Sequence, residues 1–264
     1  MSKNGPLSLV FNAVVVAFIL APLVVVCWVA FTPYSTLTLP TDSFSLRWFY
    51  AIFEHGGFVV AFQNSLWLAV LSASLATALA VPAAIAIARG NFPGKEFLNG
   101  VFLSPLMIPN LVLGIAMLRF FSLIGQTGSF SWLMLAHVIV ITPYVIRLVL
   151  AALVGIDPSI EHAAASLGAA RMRTFFRVTL PMVLPGIAGG WLLAFITSFD
   201  ELAMSIFVTS PSTMTLPVQM YVYATESIDP MMAAISAVVI ALTAITMVLL
   251  DRIYGLDKVL VGKQ

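Results

Sequence analysis

Six long apolar blocks, at residues 9–31, 61–88, 97–124, 131–153, 182–208 and 231–250, alternate with shorter stretches that hold the turn residues and most of the charge. At about 1.5 Å of rise per residue, each block is long enough as a helix to cross a hydrocarbon core of about 30 Å. Within the blocks the apolar residues run on continuously, which favours spanning helices over half-buried strands. The segments between them, 32–57, 89–96, 125–129, 155–181 and 209–230, read as connections. The pattern predicts an all-α integral membrane protein with six transmembrane helices.

Three details refine this. Lys3 and the apolar run behind it look like a secretory leader, but the run continues to Phe31 without a small-x-small cleavage pattern. It is therefore read as a retained first span. The second block carries Ser72, Ala76, Ala80, Ala84 and Ala88 at steps of four, a stripe that lets another helix approach closely and predicts a place inside the bundle. Pro105, Pro109 and Pro143 remove backbone donors within the third and fourth blocks and predict kinks there.

Composition agrees: 61% of the 264 residues are hydrophobic and 9% charged, against roughly 25% charged in soluble domains. A formal net charge of +1 without a basic stripe argues against nucleic-acid binding. Cys27 is the sole cysteine, so an internal disulfide is impossible, and its apolar surroundings make it a small packing residue. His55, His137 and His162 form no H-E-x-x-H pair, and no G-x-S-x-G elbow is present. Gly94-Lys95 is followed by Glu96 and preceded five residues earlier by Arg89, so the phosphate-loop spacing fails. The chain reads as no enzyme and as carrying no cofactor; nucleotide energy would have to come from another chain.

Lys3, Arg89, Lys95, Arg147, Arg171, Arg173, Arg177, Arg252, Lys258 and Lys263 fall at or near the termini and the second and fourth connections, whereas Arg47 and Arg119 lie toward the other side. The positive-inside rule then places both termini in the cytoplasm, with segment 155–181.

That segment is a polar island. Asp157-Pro158 is a strong helix start, Glu161 suits the first turn, and 159–167 predicts a short helix ended by Gly168 in a left-handed conformation. A second run follows, with Met172, Phe175, Phe176 and Thr179 on one face and Arg171, Arg173 and Arg177 around the others. It predicts an amphipathic helix on the membrane surface, with Pro181 marking entry to the fifth span. Periodicity alone suits a connector as well as an interface.

The spacing resembles a known family. His162-Ala163-Ala164, three residues, Gly168, nine residues and then Val178-Thr179-Leu180-Pro181 is similar to the EAA loop of ABC importer permeases, whose pattern is E-A-A, three, G, nine, then I-x-L-P. The resemblance implies a type I importer permease, a single membrane domain over 1–264 with a coupling loop at 156–181 that docks on a cytoplasmic ATPase. It assigns ATPase coupling to Glu161, His162, Ala163, Ala164, Gly168, Leu180 and Pro181. The chain departs from the pattern at its first position, where histidine stands in place of glutamate and Glu161 lies one residue earlier.

Asp200 and Glu201 sit inside the fifth apolar block. An acid at mid-bilayer costs about 2.5–3.5 kcal/mol on insertion scales, so it faces a partner or a watery passage. Counted from Met182, Asp200 lies about 27 Å along the span, toward its outer end. Three readings stand: the span ends near Asp200, the acids pair with Arg119, or they attract a cationic solute. Asn110 is either a polar ligand on the same passage or glue between helices.

The stretches SFDELAMSIFVTSPSTMTLPVQMY, NFPGKEF and FLSPLMIPNLVLGI are similar to those of spermidine/putrescine permeases. This resemblance implies a subunit of an ATP-driven importer in the bacterial inner membrane, passing a polyamine from a periplasmic binding protein to the cytoplasm by alternating access. The implied partners are a second, related permease in a heterodimer, two ATPase subunits that hold the ATP and Mg, and the lipid bilayer. The alternatives are a permease for an opine, a quaternary amine or an aminophosphonate, or a stand-alone channel or secondary transporter.

Overall fold

A computed structural model describes residues 5–37 and 43–254; in the last helix, side chains are described through 246 and at 248 and 252. Lys3, Lys258 and Lys263, counted above for orientation, lie outside the described residues. In chain order the helices are α1 (Pro6–Val29), α2 (Arg47–Glu54), α3 (Gly56–Arg89), α4 (Lys95–Leu103), α5 (Asn110–Leu123), α6 (Phe130–Val154), α7 (Ser159–Ser166), α8 (Arg171–Thr174), α9 (Leu180–Phe199), α10 (Ser205–Val208), α11 (Leu216–Glu226) and α12 (Met231–Tyr254). No strand occurs among the described residues. By length and composition, α1, α3, α6 and the continuous helix Arg171–Phe199 can each cross a membrane, and α4 with α5 can form a fifth, bent crossing. The sixth expected span is α12, 24 residues long and apolar over Met231–Thr246.

The third and fifth expected spans are corrected by the structure. The third is broken: α4 runs into a 3₁₀ turn at Ser104–Met107, and α5 leaves at 103° to it. Proline is the cause. Pro105 opens the 3₁₀ turn, and Pro109 pushes Ile108 out of helical backbone into an extended conformation (φ −95°, ψ 127°). Pro143, by contrast, leaves α6 uninterrupted from Phe130 to Val154. The fifth span ends at Phe199 rather than 208, and the apolar residues beyond it turn back into α10.

The second amphipathic run is not a separate surface helix. α8 passes through a π turn at Phe175–Thr179 directly into α9, and Leu180 N–H bonds to Phe175 C=O five residues back. Pro181 has no N–H, and its ring would crowd the carbonyl four residues earlier; widening one turn lets the helix continue through it.

Among the described residues, contacts gather into two groups: 5–37, 43–59 and 219–249, and 60–218 with 250–254. In the first group, Tyr223 Oη–H donates to Asp229 Oδ2, and Asp229 Oδ1 accepts the Met231 N–H at 2.9 Å, capping α12. Arg47 lies over the Trp48 ring, 4.7 Å from its centroid. A cavity of about 460 Å³ opens beside Asp229, lined by Val25, Val29, Leu37 and Met232.

The second group has α6 as its axis, with Leu133, Ile141, Ile146 and Leu153 fully buried. The predicted small-residue stripe of α3 is interior, with Ser72, Ala76, Ala80 and Ala84 at 0% exposure, and Ser72 Oγ–H bonds to Met134 C=O. A second stripe, Gly186, Gly190, Ala194 and Ser198, brings α9 onto α6. A Cβ at Gly186 would lie 2.5 Å from Ala152 Cβ, and one at Gly190 would lie 3.2 Å from Val145 Cγ1. The missing side chains let α9 lie close against α6, with the tighter fit at Gly186.

Candidate functional site

Two places collect the residues singled out in the sequence. At the polar island, the Asp157 carboxylate accepts the Ser159 N–H at 2.8 Å, as the Asp-Pro start predicts. That backbone bond, the Ser159 hydroxyl and the nearby Arg89 charge hold the Asp157 carboxyl below its ordinary range. α7 ends as expected at Gly168 (φ +80°), where the Gly168 N–H bonds to Ala165 C=O and the Ala169 N–H to Ala164 C=O, the paired bonds of a Schellman motif. Nothing lies within 4 Å of a Cβ built on Gly168, so a side chain there is disfavoured by backbone conformation alone, by roughly 1–2 kcal/mol. Gly168→Val is expected to loosen this cap, read as faster limited proteolysis at 166–170 in mild detergent; an unchanged pattern would count against it.

The structure separates the two candidates for the missing glutamate. Glu161 is half-buried and turned inward, its Oε1 accepting Arg89 Nε–H at 3.3 Å and Thr179 Oγ1–H at 3.2 Å. It links the ends of α3 and α9 to α7. His162 and Ala163 are exposed, Ala164 is half-buried, and Leu167, at 89% exposure, stands out beside the glycine. Leu180 and Pro181 belong to the first turn of α9.

At the far end of α9, the turn after Phe199 divides the acidic pair. Glu201 is 6% exposed, and its oxygens accept the Met204 N–H (2.8 Å), the Ser205 N–H (2.9 Å) and the Ser205 hydroxyl (2.8 Å). It caps α10, and three donors offset the burial of its charge. Asp200 is exposed, and its side chain has no bonded partner among the described residues. Of the three readings of the acids, the span does end near Asp200. No ion pair joins either acid to exposed Arg119 among the described residues, where Arg89–Glu161 is the salt bridge found. Asn110 is half-buried at the start of α5, just past the 103° break.

Sequence patterning alone passes over His137. This residue of α6 is completely buried, with Nδ1 2.8 Å from Ser198 Oγ and Nε2 3.0 Å from Ser205 Oγ. Since the Ser205 hydroxyl donates to Glu201, it accepts from Nε2–H, and Nδ1 accepts from Ser198; the network assigns this tautomer. One imidazole thus fastens both flanks of Asp200, at Ser198 directly and at Glu201 through Ser205. The turn is also held from α5, where a Cβ on Gly114 would lie 2.9 Å from Met204 Cα. Beyond α10, Asn64 donates to Ser212 C=O and Met214 C=O, and Ser65 accepts the Leu216 N–H.

The capped helix α7 packs near the start of α9 and the acidic turn follows the end of α9, and residues 80–255 match the family described as binding-protein-dependent transport system inner membrane component. The chain belongs to that family. This permease is 29% identical over 248 residues to the spermidine/putrescine transport system permease protein PotC of Escherichia coli (strain K12), covering 94% of this chain and 93% of that one. It is 30% identical over 239 residues to the Haemophilus influenzae protein of the same description, covering 90% and 93%. The molybdenum transport system permease protein ModB of Escherichia coli (strain K12) shares 37% identity over 179 residues, 59% of this chain and 78% of that one.

Among solved structures, the permease resembles a chain of a bacterial ABC transporter involved in import of the polysaccharide alginate (TM-score 0.72, 14% identity, 94% and 95% covered). It also resembles a chain of the MetNI methionine ABC transporter (TM-score 0.61, 19% identity, 80% and 98% covered). Its fold is that of a type I ABC importer permease, a multi-pass inner-membrane subunit that is not itself an enzyme. An importer of this family works with an ATPase and a substrate-binding protein.

Proposed function

We propose that this permease passes a polyamine from an extracytoplasmic binding protein to the cytoplasm by alternating access, with Asp200 meeting the cationic solute at the outer end of α9. The observation that carries the reading is the division of the acidic pair: Glu201 is buried and held by three donors, while Asp200 is exposed and unpaired among the described residues. The descriptions of the PotC relatives point the same way. Asn110 is a further polar group for the passage. The molybdenum relative shows that the family alone does not fix the cargo, so the charge of the site is the stronger argument.

In this reading the whole chain is one permease domain with both termini in the cytoplasm. It pairs with a second, related permease, and two ATPase subunits bind the ATP and Mg. The coupling loop at 156–181 docks on an ATPase through His162, Ala163, Ala164 and the surface around Gly168. Glu161, Leu180 and Pro181 carry the motion into α3 and α9. The exposure of His162 and the inward bonds of Glu161 favour the histidine as the polar contact.

Purification of the tagged permease from native membranes in mild detergent is expected to recover an ATPase and a second permease by mass spectrometry. The cognate binding protein, tested against a ligand panel, is expected to prefer polyamines. Recovery of the chain alone, still able to transport in liposomes, would overturn the assembly; preference for an opine, quaternary amine or aminophosphonate would overturn the cargo.

A further inference from the structure

α9 carries three aromatic side chains at successive helical steps, Trp191, Phe195 and Phe199. The Trp191 and Phe195 ring centroids are 5.6 Å apart with planes 12° from parallel, and those of Phe195 and Phe199 are 6.1 Å apart at 27°. From α3, Phe62 meets Phe199 edge-on at 6.0 Å, and Ser74 Oγ accepts the Trp191 Nε1–H at 3.1 Å. The row is separate from the α6 seam, which uses Gly186, Gly190, Ala194 and Ser198. All four rings are half-buried. The next residue after the row is Asp200, exposed and without a partner among the described residues.

An ammonium group leaving water needs a counterpart at each point of its route. A carboxylate at every step would itself have to be desolvated and would hold the cation too firmly to release it. Aromatic faces attract a cation through their quadrupole, carry no net charge to desolvate, and bind it weakly enough to let it move on. From Trp191 to Phe199 the helix rises about 12 Å, room for more than one ammonium group of an extended solute.

We propose that Trp191, Phe195, Phe199 and Phe62 form a cation-binding track that begins at Asp200 and receives the ammonium groups of a linear polyamine. This deepens the cargo reading and rests on it. The track supplies selectivity for alkylammonium over neutral or anionic solutes, and its ring spacing suits amines joined by short methylene chains.

The test is initial uptake of labelled spermidine by cells carrying the complete importer. Phe195, and separately Phe199, is replaced by mono-, di- and trifluorophenylalanine through stop-codon suppression. Fluorine drains the ring face of negative charge and leaves its shape nearly unchanged. It also alters the ring–ring contacts of the row, so a packing role is read separately, as the yield and Tm of the assembled complex, and the track is read from uptake per complex of unchanged stability. Uptake per assembled complex is expected to fall stepwise, by roughly 2- to 30-fold across the series, with binding-protein-stimulated ATP hydrolysis retained. Phe195→Leu is expected to fall at least as far as the trifluoro ring. A flat fluorine series, whatever leucine does, overturns the track. If Asp200→Asn impairs uptake while the series is flat, the track alone fails. If the unmodified importer takes up no spermidine, the polyamine reading fails and the track with it.

Discussion

Asp200→Asn is expected to lower polyamine uptake by about 10- to 100-fold at equal amounts of assembled importer. Opposite charges about 4 Å apart attract by about 4 kcal/mol at an effective dielectric of 20, and access of water at an exposed site leaves only a fraction of that, so a loss of this size corresponds to about 1.4–2.8 kcal/mol. Asparagine keeps the shape and removes the charge. Because Asp200 bonds to no described side chain, its replacement has little reason to disturb folding. Glu201→Gln is expected to do the reverse. Its amide would set a donor against one of the groups that now donate to Glu201, lowering the yield of intact complex. The comparison needs initial rates normalised to recovered complex. An unchanged rate for Asp200→Asn would remove that residue from the passage.

The second large effect is expected at His137. Leucine there leaves the buried Ser198 and Ser205 hydroxyls each short of a partner, at about 1–3 kcal/mol for each orphaned group. Ser205 keeps its bond to Glu201, and Ser198 can turn to a carbonyl of its own helix, so a total of about 2–4 kcal/mol is expected, read as a fall of several degrees in the Tm of the detergent-solubilised complex. His137→Gln offers both a donor and an acceptor and is expected to recover some of the loss. A leucine variant as stable as the parent would show that the two serines are satisfied without the imidazole.

The difference between what is legible in the sequence and what is not follows from how far each determinant acts. The spanning helices and the α3 stripe are written in continuous runs and in steps of four. The α7 cap is equally local, since a left-handed glycine and an Asp-Pro start act within a few residues. Segment 202–208 reads as a continuation of the fifth span because hydropathy does not distinguish an apolar helix that continues from one that turns back. The deciding contacts are Glu201 capping α10 and α5 closing on Met204. Pro105 and Pro109 announce a distortion, but a 103° break takes both, with Ile108 forced extended between them. His137 is illegible because its partners lie 61 and 68 residues away. A lone histidine in an apolar run gives no sign of which hydroxyls it will meet.

Glu161 presents a single oxygen, Oε1, to both Arg89 and Thr179. A shared acceptor ties the two bonds together: any movement of this atom changes its distance to the end of α3 and to the residue that opens α9 at the same time. A displacement of α7 is therefore felt at both helices at once, and a motor docked on this loop would address the two of them through one atom.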